Sequence, residues 1–388
     1  MSVSNARSGD APTFGVEEEY LLLDAETGLP SDRAAELIRA VPQLGDRAER
    51  EFFSSQLETA TPVCREAAEA EESLAGFRSV VSREAAARGI VLAGSGLPPV
   101  GGEEAGTVTP RARYRAIDAE LRNASSYQYV TGTHVHVEIP SADAGVEALA
   151  RLARWAPMLL ALTANSPLWC GDDTGFACWR QIMNRSWPVT GYPPPFADGE
   201  EYAASVRQLV GSGVLIDPGI VTWEARLSQN YPTLELRIAD AQLEAADAVA
   251  FAVLVRALID RCLRDAEEGR PRPGIAPGLV DGAIWIAARN GLSTDLVDPL
   301  SGTSIPALDF VERAVQTVEP ELRRFGDLER VERYVERRRA GAPARVQLDR
   351  FRDAGISGLL DLYRSCSEGR GAEARVDGER APQTADHA

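Results

Sequence analysis

An α+β architecture built on a mainly antiparallel sheet follows from three observations. Segments with strand-like alternation cluster in the first two-thirds of the chain, whereas Ala245 to Tyr363 reads as nearly continuous helix. Strands and helices do not alternate as βαβ units. No Gly-x-Gly-x-x-Gly follows any strand, which leaves a dinucleotide-binding sheet without support.

Taken in order, Phe14–Asp24 reads as the first strand. Pro30-Ser31-Asp32 then predicts a helix start with Ser31 as N-cap. A second strand is expected over Arg50–Thr61, ended by Pro62. Arg65–Arg88 is an Ala/Glu/Arg helix that stops at Gly89, followed by a short strand at Ile90–Ala93 and a Gly/Pro-rich loop over Gly94–Pro110. Gly132–Ile139 is a strand, Ala142 to Ala164 a helix, Pro188–Ala197 a loop and Glu200–Val210 a helix. Ile220–Leu227 and Thr233–Ala239 read as a hairpin-like pair. No long linker or internal repeat interrupts this, so one continuous domain is expected over residues 13–366, its part 245–366 mostly helical. Residues 1–12 and 367–388 are polar and poor in large apolar side chains, and disorder is expected there.

Composition excludes several chemistries. The 388 residues carry 41 basic and 58 acidic side chains, a formal net charge of −17, and every basic one is arginine. Without lysine there is no Walker A loop and no Schiff base. With three histidines, His387 among the last two residues, a site of three or four His ligands cannot be built from one chain without the tail. The acidic balance disfavours nucleic acid as a partner. The most apolar stretch, Trp155 to Ala164, is too short to span a bilayer and the N-terminus lacks an apolar leader segment. Five widely spaced cysteines with no C-x-x-C read as free thiols in a reducing cytoplasm. Cys170 and Cys178 have no base nearby in sequence and are read as inert. The run Arg323 to Arg339, interleaved with acids, reads as a solvated helix face with i,i+4 pairs.

The candidate chemistry lies on strand faces. Side chains at i and i+2 share a face, so Glu17 and Glu19 stand together, as do His134, His136 and Glu138, Glu224 and Arg226, and Glu235 and Arg237; the second strand adds Gln56 and Glu58. One such strand is ordinarily just a sheet with one wet face. Adjacent carboxylates repel, however, and a divalent cation between them relieves that cost. Oxygen donors suit Mg²⁺ or Mn²⁺, commonly with a nucleotide phosphate, and arginine suits phosphate oxygens. For the His-x-His pair three readings stand: a transition-metal site, a structural role in a cleft, and a contact to substrate or nucleotide.

In their order, these segments resemble the carboxylate–amine ligases of the glutamate–cysteine ligase type 2 group, in the glutamine synthetase-like superfamily. The resemblance rests on Gly15-Val-Glu-Glu-Glu-Tyr20, Gln56-Leu-Glu-Thr-Ala-Thr-Pro62, Gly132-Thr-His-Val-His-Val137, Gly171-Asp-Asp-Thr-Gly175, Trp223-Glu-Ala-Arg226 and Pro232-Thr-Leu-Glu-Leu-Arg-Ile-Ala-Asp240, and covers about residues 13 to 365. It implies a curved antiparallel sheet forming a funnel flanked by helices, with ATP at one end and the acid substrate inside. It implies Glu17, Glu19, Glu58, Glu235 and His136 as Mg²⁺ ligands, with Glu58 among the catalytic groups. His134 and His136 would lie near nucleotide or cation, Arg237 would touch the transferring phosphate, and Arg226 a phosphate or substrate carboxylate. Trp223 would line the amine pocket. The implied reaction is ATP-dependent amide formation between a small acid, L-glutamate, and an amine such as L-cysteine, through an acyl phosphate, in a cytoplasmic enzyme that forms homodimers. Departures at Glu138, at Ile284 and Ile286, and in the Gly94–Pro99 loop, which lacks a His, bear on the substrate. Two rival readings are a non-catalytic nucleotide- or amino-acid-binding homologue and a ligase for another acid.

Overall fold

The computed structural model describes residues 11–369. The disorder expected of 1–10 and 370–388 lies outside the described residues; the last helix runs on to Ser367. Seven strands form the main sheet: β1 (Phe14–Asp24), β2 (Glu49–Arg50), β3 (Gln56–Ala60), β4 (Ile90–Ala93), β5 (Gly132–Glu138), β6 (Ala225–Leu227) and β7 (Thr233–Asp240). Their order is β6-β7-β5-β1-β3-β2, with β4 also paired to β1, and every pairing is antiparallel. This is the α+β class expected.

The long strand β1 organises the sheet. Glu17 faces Ala60 of β3 and His134 of β5, while Leu21 faces Gln56 of β3 and Ala93 of β4. β5 and β4 therefore follow one another along one edge of β1, and β3 takes the other. One face of the sheet carries Val16, Val135, Val137, Leu234 and Leu236, all buried. The helix Ala245–Glu267 supports that side; most of its residues are buried, and it packs on β1, β5 and the helices Ala67–Ala86, Ala142–Leu152, Ala307–Phe325 and Leu328–Ala340. The opposite face carries the charged residues.

Alternation along Glu17-Glu18-Glu19 sends the middle carboxylate into the apolar layer. Glu18 is met there by Arg78 of the helix Ala67–Ala86, whose Nη2 donates to Oε1 at 2.6 Å; both side chains are almost fully buried. Arg78 Nη1 also donates to the Leu243 carbonyl at 2.6 Å, Nη2 to that of Gln242 at 3.0 Å, and Nε to the Tyr20 hydroxyl at 3.0 Å. The pair thus ties β1 to the segment that follows β7.

Four local expectations are corrected. The helix after Pro30 starts only at Ala34 and Ser31 is not its cap, because Pro30 and Ser31 pair along β1, Ser31 N donating to the Leu22 carbonyl at 2.8 Å. The strand expected over Arg50–Thr61 is a hairpin, turned where Phe53 N donates to Gln56 Oε1 at 2.9 Å and Gln56 N to the Phe53 carbonyl at 3.0 Å. The helix expected from Ala142 to Ala164 is two helices, Ala142–Leu152 and Ala156–Thr163; Pro157, with no N–H to give, sits in the first turn of the second. The segment Ile220–Leu227 divides as well: Thr222–Trp223 pairs in parallel with Thr190–Gly191, and only Ala225–Leu227 joins the main sheet.

Breaking the buried pair is expected to be severe. Arg78→Met leaves the Glu18 carboxylate desolvated and unpaired and is expected to cost about 3–5 kcal/mol. Urea unfolding measures this, and adding Glu18→Gln to the same chain should recover part of the loss. A single variant as stable as the parent would contradict the role given to the pair.

Candidate active site

The charged face of the sheet forms the wall of a cleft of about 310 Å³, lined among others by Glu17, Glu19, Glu58, His134, Arg226 and Arg237. Two pairings in the sheet bring an imidazole opposite a carboxylate. Glu17 stands opposite His134, and Glu235 opposite His136. His134 Nδ1 lies 3.1 Å from Glu17 Oε2, and His136 Nε2 lies 3.1 Å from Glu17 Oε1. Burial alone would raise the Glu17 carboxyl, but the His134 and His136 imidazoles beside it hold it well below the usual range. Burial and the neighbouring Arg237 guanidinium lower His134 to about 4, so it is neutral near pH 7.

Arg226 holds Glu235 in a two-pronged grip, Nε to Oε2 at 2.7 Å and Nη2 to Oε1 at 3.0 Å. Arg237 also pairs with Glu235 and points Nη1 to within 3.3 Å of His134 Nδ1. Burial opposes ionisation of Glu235, yet Arg237 and Arg226 bring its carboxyl down to about 2. The aim of Arg237 has a backbone cause. Glu235 and Leu236 pair with His136 and Val135, but Ala239 pairs with Thr133, so one extra residue bulges out of β7 at Arg237-Ile238.

On the other side of β1 lies a knot of acids. Glu19 is opposite Glu58, and the hairpin turn folds Glu51 back beside them. Burial, then repulsion from Glu51, pushes Glu19 up to about 8. Burial and the charges of Glu51, Glu17 and Glu19 raise Glu58 well above its ordinary value. Gly132 closes this corner: its N–H donates to Glu19 Oε2 at 2.6 Å, and a Cβ there would stand 2.6 Å from Arg180 Nη2.

Ligand atoms of Glu17, His136 and Glu235 all lie within 4.8 Å of one another, a spacing one cation can bridge. His136 Nε2 is buried and makes no hydrogen bond of proper geometry, despite its closeness to Glu17. Carboxylate oxygens with one imidazole suit Mg²⁺ or Mn²⁺. Beyond Glu17 and His136 a second cavity, about 470 Å³, has mostly apolar walls that include Phe14, Ala60, Pro62, Val63, Tyr231 and Pro232. Glu17 thus stands in the partition between a polar and an apolar cavity.

This geometry accompanies a sequence match over most of the chain. Residues 13–364 match the family model described as glutamate-cysteine ligase family 2. The chain belongs to that family. A protein of Nocardia farcinica that carries the provisional name glutamate–cysteine ligase 2-1 is 39% identical over 318 residues, 82% of this chain and 83% of the relative. A provisionally named glutamate–cysteine ligase 2 of Salinispora arenicola is 38% identical over 342 residues, 88% of this chain and 90% of the relative. Among solved structures, the glutamate–cysteine ligase of Francisella tularensis in complex with AMP is similar with a TM-score of 0.68 at 11% identity, covering 98% of this chain and 96% of that one. A bifunctional glutathione synthetase from Pasteurella multocida is similar with a TM-score of 0.67 at 16% identity; 94% of this chain matches 53% of that longer protein. These structures share the fold. Family membership places the chain among ligases. No helix among the described residues is long and apolar enough to cross a membrane.

Against this family background the sequence readings sort clearly. Glu17, Glu19, Glu58, Glu235, His134, His136, Arg226 and Arg237 converge on the wall between the two cavities. Trp223 does not reach the cleft. Its neighbours Thr222 and Glu224 line it, so alternation turns the indole inward against Phe196 and Tyr202, with ring centroids 5.7 and 5.8 Å away. Glu138 lines the apolar cavity rather than the cleft, and accepts from Thr13 N at 3.1 Å and Thr13 Oγ1 at 2.7 Å. Gln56 supports the turn rather than lining a ligand set: its Oε1 accepts from Phe53 N and its Nε2 donates to the Val130 carbonyl. The buried Cys178 thiol donates to Asp240 Oδ1 at 3.0 Å and is raised by burial, which accords with an inert thiol. Glu51 and Arg180, both charged and both in the cleft, were not singled out from sequence. Glu51 carries an alternation signal with Glu49 that the unsuspected turn concealed, and Arg180, on a four-residue helix, carries none.

The raised acids give a pH signature. Folded Glu19 keeps its proton to about 8, whereas unfolded it ionises near 4.5. The native state then binds more protons than the unfolded one across that window, so stability falls as pH rises through it. Thermal melts without divalent cation are expected to show a lower Tm at pH 8.5 than at pH 5.5, with Mg²⁺ or Mn²⁺ restoring more at the higher pH. A Tm that ignores both pH and cation would contradict the carboxylate cage.

Proposed function

We propose that the chain is an ATP-dependent carboxylate–amine ligase that forms a γ-glutamyl amide through an acyl phosphate, with L-glutamate as acid, L-cysteine among its amines and the cytoplasm as its compartment. The observation that carries this reading is the partition itself. Glu17, His136 and Glu235, one cation's ligand distance apart, stand between a polar cleft and an apolar cavity. The apolar side suits an adenine ring and the polar side suits a zwitterionic acid and an amine. The phosphoryl group would pass between them at the wall.

Glu17, His136 and Glu235 would hold one cation, and Glu19 and Glu58 would contribute to a further one. Mg²⁺ or Mn²⁺ bound there supplies charge neutralisation for the phosphate oxygens. The remaining work falls to the chain. A carboxylate oxygen of the acid attacks the γ-phosphorus of ATP, the bond to the β-γ bridging oxygen breaks, and ADP leaves. Arg237, aimed into the cleft by its bulge, donates to the transferring phosphoryl oxygens. Arg226 keeps Glu235 in a fixed orientation with both prongs. The amine nitrogen, once it has given up one proton to a base, then attacks the acyl carbon, the bond from that carbon to the phosphate oxygen breaks, and phosphate departs with the electron pair and a second proton from the nitrogen.

Coupled ADP release with glutamate and a panel of amines tests the reading. Turnover is expected only with acid, amine and Mg²⁺ or Mn²⁺ together. Arg237→Ala is expected to lower kcat by roughly 100- to 1,000-fold, and Glu235→Gln to abolish cation-dependent turnover while circular dichroism stays unchanged. ATP binding by calorimetry with no ADP release for any pair would instead identify a non-catalytic binder.

A further inference from the structure

The proposed chemistry leaves Glu51 and Glu224 of the cleft without a task, and of the two only Glu224 stands apart from the knot of acids around Glu58. Glu224 sits at the break between Thr222–Trp223 and β6, and its side chain lines the cleft. The residue is 2% exposed, yet among the described residues no guanidinium lies within salt-bridge distance of it. Its described side-chain partner is an amide: Gln181 Nε2 donates to Glu224 Oε1 at 2.6 Å. A buried carboxylate next to three arginines, Arg180, Arg185 and Arg237, which act on it only at longer range, is poised rather than neutralised. Burial, the largest influence, raises its proton affinity above that of an ordinary glutamate.

Its place relative to the reaction is set by the backbone. Ala225 pairs with Leu236, and Arg237 N donates to the Glu224 carbonyl at 2.8 Å, so Glu224 stands opposite Arg237 across the β6–β7 ladder. Both side chains line the same cleft. The carboxylate therefore neighbours the group assigned to the transferring phosphoryl. Gln181 adds a second observation. Its Oε1 is buried and has no partner, while its Nε2 is used on Glu224. An amide in that position serves either protonation state. It donates to the carboxylate, and after a flip its oxygen accepts the O–H of the acid.

Resting on the ligase reading, we propose that Glu224 is the ammonium-binding and proton-accepting group for the incoming amine, with Gln181 as its positioning residue. A primary amine arrives as R–NH₃⁺, and the unpaired Glu224 carboxylate is the anion that receives it. One N–H proton passes to a Glu224 oxygen, freeing the nitrogen lone pair. The C–N bond forms at the acyl carbon and the C–O bond to phosphorus breaks. The second proton leaves with the phosphate, which departs as HPO₄²⁻, and the Glu224 proton is released to solvent. Atoms and charge balance with no further reactant. The substrate class follows: amines that are protonated in solution and present a primary ammonium.

Hydroxylamine separates this role from the rest of the site, because it is already neutral at pH 7 and needs no base. Glu224→Gln is expected to lower the rate with a primary ammonium substrate roughly 100- to 10,000-fold, while hydroxamate formation from glutamate, ATP and hydroxylamine stays within a few-fold of the parent. Gln181→Met, which keeps the carboxylate, is expected to show the same split with a smaller loss. Equal rates for parent and Glu224→Gln with the ammonium substrate would overturn the assignment. So would equal loss of both reactions with a raised KM for glutamate, which would make Glu224 a ligand of the acid. Parent protein that forms no hydroxamate would refute the ligase reading itself, and this assignment with it.

Discussion

The site depends on a repulsion that the fold enforces. Glu17, Glu19, Glu51 and Glu58 are held within one cleft, and left to themselves their charges would push the strands apart. β1 is trapped between β5, β4 and β3 with its other face sunk in the apolar layer, so it has no freedom to yield. The cost appears as protons retained on Glu19 and Glu58. It does not appear on Glu17 and Glu235, where imidazole and guanidinium partners meet the charge directly. The two halves of the wall are thus in different electrostatic states, one satisfied by its partners and one relieved by retained protons. The Glu18–Arg78 pair beneath them is the counterpart on the buried side. Without Arg78, the same alternation that presents Glu17 and Glu19 would bury an unmatched charge.

Most of this wall was legible in the sequence, because a strand's period of two is a local rule. His134 and His136, Glu235 and Arg237, and Glu17 and Glu19 could be assigned to faces by counting alone. Across strands the register then brought these faces together, as the antiparallel α+β pattern implied. The misreading of Trp223 and the omission of Glu51 share a cause. Each sits at the end of a short strand or beside a turn, where alternation no longer tells which way a side chain faces. The turn at Phe53 is closed by the Gln56 side chain, a contact that no composition rule predicts. Arg180 reaches the cleft from a helix of four residues, positioned by its contacts with β7: Nη2 donates to the Arg237 carbonyl at 3.0 Å and Nη1 lies 3.6 Å from Asp240 Oδ1.

The absence of lysine shapes the chemistry as well as the composition. Every side-chain cation in the cleft is a planar fork with fixed directions, so each can be committed to two acceptors at once. Arg226 uses this on one carboxylate, holding both oxygens of Glu235 and reaching the Gly219 and Val221 carbonyls at 3.1 and 2.9 Å. Arg78 uses it on four residues, Glu18 and Tyr20 of β1 and Gln242 and Leu243 after β7. An ammonium group could not span such distances with the same rigidity. The acidic surplus of the chain is therefore only partly a surface property: in the core and cleft its members are met one by one by arginines.

The bulge in β7 links these threads. A regular ladder would set Arg237 and Ile238 against two residues of β5, but the extra residue places both opposite His134. Arg237 is thereby drawn close to Glu235, His134 and, through its backbone, Glu224. Deleting Arg237 would restore regular pairing and leave Ile238 alone opposite His134, on the charged face. Ile238 would turn out of the core, whereas Ala239 and Asp240 would keep their partners Thr133 and Gly132. The irregularity that aims Arg237 into the cleft therefore also keeps Ile238 in the core, so aim and packing cannot vary independently. That coupling explains why a bulge, ordinarily a weakness in a central strand, is tolerated in the middle of this sheet.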